Sequence, residues 1–215
     1  AGIPAVPYHG RDTWTAFEGA DAASGVWSFR YGWRNRAAHI GVIGSSDNHA
    51  QMAGTNDDMA PDGSRYHLNE PAGHAVVLAA SRDRGGIFDA LGARRTYATT
   101  GVRVWLDFTV AGSPMGSSIA VRSAGPIAAV VDLMAGMTIT RLEVWGAQAG
   151  NPFVPYRLLL SATPAAETWT CTLALQNPVP VGAVWPQEWL YYVRAFLETP
   201  GAEDGEPDDA VWSSP

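Results

Sequence analysis

Lysine is absent from this chain. All 14 basic residues are arginines, set against 21 aspartates and glutamates, for a net charge of −7. A protein that grips nucleic acid through its phosphates needs a basic stripe. None exists here, so nucleic-acid binding is not expected. Cysteine is nearly absent as well: Cys171 stands alone, which excludes an internal disulfide and says little about compartment. No apolar run reaches the roughly 18 residues that a membrane-spanning helix requires, so no membrane partner is expected. No secretory leader is visible, and the chain opens Ala1-Gly2 without methionine. It is therefore expected to be a fragment or a processed product, and its compartment is left open.

Charge is scarce too. Charged residues make up 16% of the 215 and hydrophobic residues 47%, a balance that favours a globular core over disorder. This length allows one large domain or two small ones.

The stretch built most plainly for chemistry is Gly41-Val42-Ile43-Gly44-Ser45-Ser46-Asp47-Asn48-His49. Ile40 to Ile43 reads as a short buried strand between glycines. The turn after it carries a carboxylate and an imidazole two positions apart. On extended backbone such residues share a side, so Asp47 and His49 can face one pocket. A hard oxygen ligand beside a borderline nitrogen ligand suits Zn, Mn or Fe.

The first 38 residues carry little pattern. Ile3 to His9 reads as a short edge strand, limited by its two prolines. Residues 50–73, rich in Gly, Asn, Asp and Pro, read as a long loop bordering the candidate ligands. Their acidic spacing does not fit a calcium-binding helix-loop-helix. His74 to Ala80 predicts a second strand. A helix follows, capped by Ser81 or Asp83, with Ile87, Ala90 and Leu91 on its apolar face. Gly85 and Gly86 weaken its first turn, and Arg94 and Arg95 suit the negative end of its dipole. Together these elements predict an α/β segment.

After Gly101 the periodicity becomes that of strands alone. Val102, Val104, Leu106, Phe108 and Val110 alternate strictly with polar or exposed positions. Strand-like runs recur near 118–122, 126–134, 138–146, 154–160, 168–175, 188–198 and 210–214. This spacing predicts an antiparallel β-sandwich, with a domain boundary near residue 100. Glu203 to Asp209 reads as a solvated hairpin loop.

Three segments carry a family resemblance: GVIGSSDNH, then RGGIFDALGARRTYATTG (Arg84 to Gly101), then VRVWLDFTVAGSPMG (Val102 to Gly116). In this order they resemble the C-terminal part of proteins of the PHP (polymerase and histidinol phosphatase) superfamily, in its bacterial branch with a C-terminal β-sandwich. Tyr191-Tyr192-Val193-Arg194 and Ala210-Val211-Trp212-Ser213-Ser214-Pro215 resemble the family's ending. The resemblance implies the C-terminal part of a distorted β/α barrel over residues 1–100 and a sandwich over 101–215. It also implies two or three divalent ions (Zn, Mn or Fe) that activate water against a phosphorylated small-molecule substrate. Asp47 and His49 match the family's last ligand pair and would be both metal-binding and catalytic. Val6-Pro7-Tyr8-His9 resembles the strand-end histidine that precedes that pair, which makes His9 a third metal ligand.

The chain departs from the family in lacking a His-x-His motif: its histidines are His9, His39, His49, His67 and His74. Such a cluster needs on the order of nine donors at about four to six per ion. The chain alone is therefore expected to be an incomplete catalyst, its site completed by a missing N-terminal segment or a second chain.

Each feature also has a plainer reading. His39 and His74 flank apolar runs and are expected to be structural, and His67 to be solvated. Arg94 and Arg95 could reach a phosphate, but are better placed to pair with carboxylates or cap carbonyls. Ser45 and Ser46 lack the Gly-x-Ser-x-Gly elbow of a serine hydrolase. The nine tryptophans are spread as packing residues rather than as a sugar-stacking surface. The competing functional reading is a non-catalytic sandwich that binds a carbohydrate or a protein, with the metal pair vestigial.

Overall fold

In the computed structural model, the described residues are 39–45, 57–59, 65–67, 73–119, 126–149, 156–175, 188–198 and 209–215. They hold eleven strands and one helix. Strands β1 (Asp57–Met59) and β2 (Arg65–His67) form a small antiparallel pair within the expected long loop. The other nine lie in one antiparallel sheet: β3 (His74–Val77), β4 (Thr96–Thr99), β5 (Trp105–Val110), β6 (Ser113–Pro114), β7 (Ile127–Gln148), β8 (Arg157–Ala162), β9 (Ala166–Leu175), β10 (Trp189–Leu197) and β11 (Asp209–Ser213). The order is β3-β4-β11-β10-β7-β5-β6, with β8 and β9 also paired to β7.

Strand β7 organises the sheet. At 22 residues it is about four times the usual strand length. It pairs with β5 and β9 through its first half and with β10 and β8 through its second. Sequence periodicity predicts two strands here, near 126–134 and 138–146. They are one strand with an irregular middle, where Gly136 takes φ of +64°. The irregularity has a purpose visible in the side chains. Ile127, Ala129, Val131, Leu133, Ala135 and Ile139 face the main core at odd positions, but Leu142 and Val144 face it at even ones. Thr140 is the extra residue, because Leu197 pairs with Ile139 while Phe196 pairs with Arg141. A one-residue bulge reverses which positions face inward, and so keeps the apolar residues of both halves on one core.

That main core lies on one face of a curled sheet and draws on Leu106, Phe108, Val193, Val211 and Tyr97. The alternation from Val102 to Val110 is observed: Val104, Leu106 and Phe108 are buried and the two end valines partly so. The opposite face carries a second cluster, of Ala98, Tyr192, Phe196, Trp212 and Val42. Strand β10 is therefore buried on both sides from Tyr191 to Leu197. On that second face Glu143 accepts from Arg194 Nη2 at 2.6 Å and from Trp145 Nε1 at 2.8 Å. Asp209, expected in a solvated loop, is buried in β11 and accepts from Thr100 Oγ1 at 2.7 Å.

The α/β expectation requires correction. Helix α1 (Arg84–Gly92) joins β3 to β4, but those strands are antiparallel, with His74 opposite Thr99 and Val77 opposite Thr96. Every strand pairing among the described residues is antiparallel. β4 bonds onward to β11, so residues 74–99 share one sheet with the strands that follow. A single curled sheet takes the place of two stacked ones. Asp83 does cap α1, accepting from Gly86 N at 2.8 Å, and this bond lowers its carboxyl pKa. The apolar face is only partly realised: Ala90 is buried, but Ile87 and Leu91 are 39% and 40% exposed. The helix ends before the arginines. Arg94 sits beyond it in the left-handed region, φ +58°, a place more often held by glycine.

Two turn glycines separate conformational from steric cost. Gly112 has φ of +75° with open space around it, whereas Gly116, at +82°, would drive a Cβ into the carbonyls of Ala93 and Arg94. Gly112→Ala is expected to cost about 1 kcal/mol, and Gly116→Ala at least about twice that. Urea denaturation of both variants measures the difference. On β5 and β7, Asp107 and Asp132 are cross-strand partners, and Thr170 Oγ1 donates to Asp132 at 2.8 Å. Asp107→Thr removes the like-charge pair and keeps that bond. It should stabilise the protein by about 0.5 kcal/mol, read in the same denaturation experiment.

Candidate functional site

Ile40 to Ile43 is not a strand. The segment 39–45 lies irregularly against the second face of the sheet, with Val42 3% exposed and Ile43 55% exposed. Its anchors are specific. Val42 N donates to Ser214 Oγ at 2.8 Å, in the interior. Gly44 runs so close to β3 that a Cβ there would lie 2.5 Å from the His74 carbonyl oxygen. No other residue type allows that approach. The chain leading to Ser46 and Asp47 is thus held between β3 and the residues after β11.

Those last residues form a junction. Ser214 Oγ also shares a hydrogen bond with Thr96 Oγ1 at 3.0 Å, and Ser214 N donates to Thr96 O at 3.0 Å. Ser213 Oγ accepts from Val193 N at 2.9 Å. Pro215 O accepts from Gly116 N at 2.9 Å, and Gly116 O accepts from Arg94 Nη2 at 2.7 Å. The segment after α1 is tied in at every step. Tyr97 Oη donates to Val104 O at 2.6 Å and accepts from Leu106 N at 3.3 Å, while Thr99 Oγ1 donates to Val102 O at 2.9 Å. Gly41–Gly44, Arg94–Gly101, Gly116 and Ser213–Pro215 therefore meet in one place. The last of these was not recognised as a hub from sequence. Its signal was two adjacent serines ending an apolar strand, where a hydroxyl must find partners.

Asp47, His49, His9 and Ser46 lie outside the described residues, as does the side chain of His67. His39 Nε2 lies 3.0 Å from Glu188 Oε1, both about half exposed. His74 is exposed at the start of β3. Arg94 caps a carbonyl. Among the described residues, no group of three or more His, Cys, Asp or Glu is placed to hold a metal ion, and no helix is long and apolar enough to cross a membrane.

A cleft of about 140 Å³ opens next to this junction. Phe108, Val110, Met115, Ile127 and Leu190 supply apolar wall. Trp189 and Tyr191 line it from β10, and the His39–Glu188 pair and Arg94 border it. Burial pushes the Tyr191 phenol up to about 12. Burial also raises Tyr97, against the smaller opposing effect of its bond from Leu106 N.

Residues 35–124 match a family described only as a protein of unknown function (DUF3604). The match spans 90 of the 215 residues, counting from 35 through 124. It includes Asp47 and His49, α1, the Arg94–Gly101 segment and Gly116. No curated protein and no solved structure shows significant similarity to the chain.

Two outcomes test the junction. Ser214→Ala leaves the buried Val42 N–H without its acceptor and should destabilise the protein by about 1–3 kcal/mol, measured by urea denaturation. For Tyr191, the native state holds the phenolic proton above the ordinary value of 10.0. Its contribution is complete below that value and is lost as pH rises toward about 12. Tyr191→Phe should flatten this part of the alkaline stability loss in a pH series of denaturation curves.

Proposed function

We propose that this chain carries the last ligand motif of a metal-dependent phosphoesterase related to the PHP superfamily, with Asp47 and His49 as ligands. The observation that supports this reading is the anchoring of residues 39–45, immediately before that pair. Val42 is fixed by Ser214, and Gly44 is pressed against β3. A ligand pair gains from a rigid lead-in, because metal affinity depends on donors held in place before the ion arrives. A solvated turn aspartate and histidine would need no such seat.

A carboxylate beside an imidazole suits Zn, Mn or Fe. Asp47, His49 and, by the family resemblance, His9 would hold the ions, whose chemistry when bound is Lewis-acid activation of a water toward a phosphoester. Three donors fall short of the roughly nine that a two- or three-ion cluster requires. The remaining ligands belong to another segment or a second chain, and the isolated chain is an incomplete catalyst.

Elemental analysis of purified protein tests the ligand role. The wild type should carry substoichiometric to stoichiometric Zn, Mn or Fe that a chelator removes, and Asp47→Ala and His49→Ala should each lose it. Equally low metal in all three proteins sinks the proposal. Hydrolysis of p-nitrophenyl phosphate by this chain alone should be close to background. It should rise when a chain containing the remaining ligands is supplied.

A further inference from the structure

Strands β8 and β9 run one after the other along the same side of β7, with a break at residues 163–165 between them. Among the described residues, no strand pairs with the outer side of either. The β8 end carries devices that discourage further pairing: Arg157 opens it and Pro164 stands in the break. β9 has no such protection past Glu167. From Thr168 to Leu175 it reads TWTCTLAL, without charge, proline or glycine.

The direction of the backbone groups along β9 follows from its neighbours. Ala128 O accepts from Ala111 N, so the Ala128 backbone points away from β9. Successive residues alternate, so Ala129, Val131 and Leu133 point toward it. Their cross-strand partners Leu173, Cys171 and Trp169 point back at β7. Thr168, Thr170, Thr172 and Ala174 therefore direct their N–H and C=O groups outward, and all four residues are exposed. Among the described residues, these groups receive one bond, a long one of 3.6 Å from Cys171 Sγ to Thr172 O.

We propose that β9 is a self-association edge: two copies of this chain pair antiparallel along it, about a two-fold axis at Cys171. The strand's own sequence is what fits this edge. In that register Thr170 lies opposite the partner's Thr172 and Thr168 opposite the partner's Ala174, so hydroxyl meets hydroxyl or methyl. On the other face Trp169 meets the partner's Leu173. Both residues already pack at the rim of the main core, and the pairing covers them further. Such cross-strand pairs are favourable, and no like charges are opposed. The four outward residues of each copy exchange about eight hydrogen bonds. A charged peptide would find no counter-charge between Thr168 and Leu175. Because the two-fold axis uses the same edge of both copies, assembly stops at two. The pairing involves neither Asp47 nor His49 and is independent of the metal reading.

The test is analytical ultracentrifugation of the full chain over a wide concentration range. The protein should pass reversibly from monomer to dimer and go no further. Thr172→Pro removes an outward N–H without removing a bond to β7, a substitution that edge strands tolerate. It should weaken dimerisation at least about tenfold, with little change in the melting temperature of the dilute monomer. Thr172→Lys, which places a charge on the same edge, should weaken it too. Oxidation with copper phenanthroline supplies the register. Cys171 is the only cysteine, and this pairing sets the two copies of it about 4.5 Å apart between Cα atoms, within disulfide range. A covalent dimer should form in the wild type and be lost in Thr172→Pro. A monomer at every concentration overturns the proposal, as does assembly past the dimer. So does a dimer that neither cross-links nor responds to Thr172→Pro. Slow amide exchange at Thr168, Thr170 and Thr172 in a monomer also refutes it, because another part of the chain would then occupy the edge.

Discussion

Everything in this sheet depends on one long strand keeping its apolar side chains on the same core while its surroundings change. In its first half β7 alternates between buried residues and exposed ones such as Asp132 and Met134. In its second half it is covered on both faces, and Glu143 and Trp145 lie among buried groups. A uniform strand of this length would twist steadily and carry its apolar set away from the partners at its far end. The bulge at Thr140 resets the facing, so that β5 and β9 at one end and β10 and β8 at the other share the main core. The interior is continuous because the strand is not.

The same curl leaves a second face on which residues 39–45 can lie. Val42 is buried there, and its N–H donates to Ser214 Oγ, which also bonds Thr96 Oγ1. Arg94 to Gly101, Gly116 and Ser213 to Pro215 are parts of one junction. The Thr96 hydroxyl bonds Ser214, while those of Tyr97, Thr99 and Thr100 donate to Val104, Val102 and Asp209. Their chemistry is that of structural fastening. Arg94, a candidate for phosphate contact from sequence, spends its Nη2 on the Gly116 carbonyl.

Sequence reasoning reached the elements whose signal is local. Strict alternation placed the buried side of β5, and apolar runs located β3, β7, β9, β10 and β11 to within a few residues. The Asp83 cap was among the two residues named. What failed depended on partners distant in sequence. The strand-helix-strand order of β3, α1 and β4 reads as α/β, yet the direction of β4 is set by its bonds to β3 and β11. The buried reading of Ile40–Ile43 holds for Val42 alone, because the segment gains its anchor from Ser214 rather than from a ladder. Two β-strand predictions merged into β7, since a bulge leaves no mark in composition.

The contact between Val42 and Ser214 joins residues 172 positions apart, and that distance governs the order of assembly. Closing so long a loop is entropically costly and has to follow the formation of the sheet on which both ends rest. β4 meets one of its two neighbours early, since β3 precedes it by only a helix. It must wait for the other, β11, until more than a hundred further residues have been made. During synthesis β3, α1 and β4 thus emerge well before β11, and one edge of β4 has no partner strand until then. The anchor of Val42 forms only after Ser214 has been made.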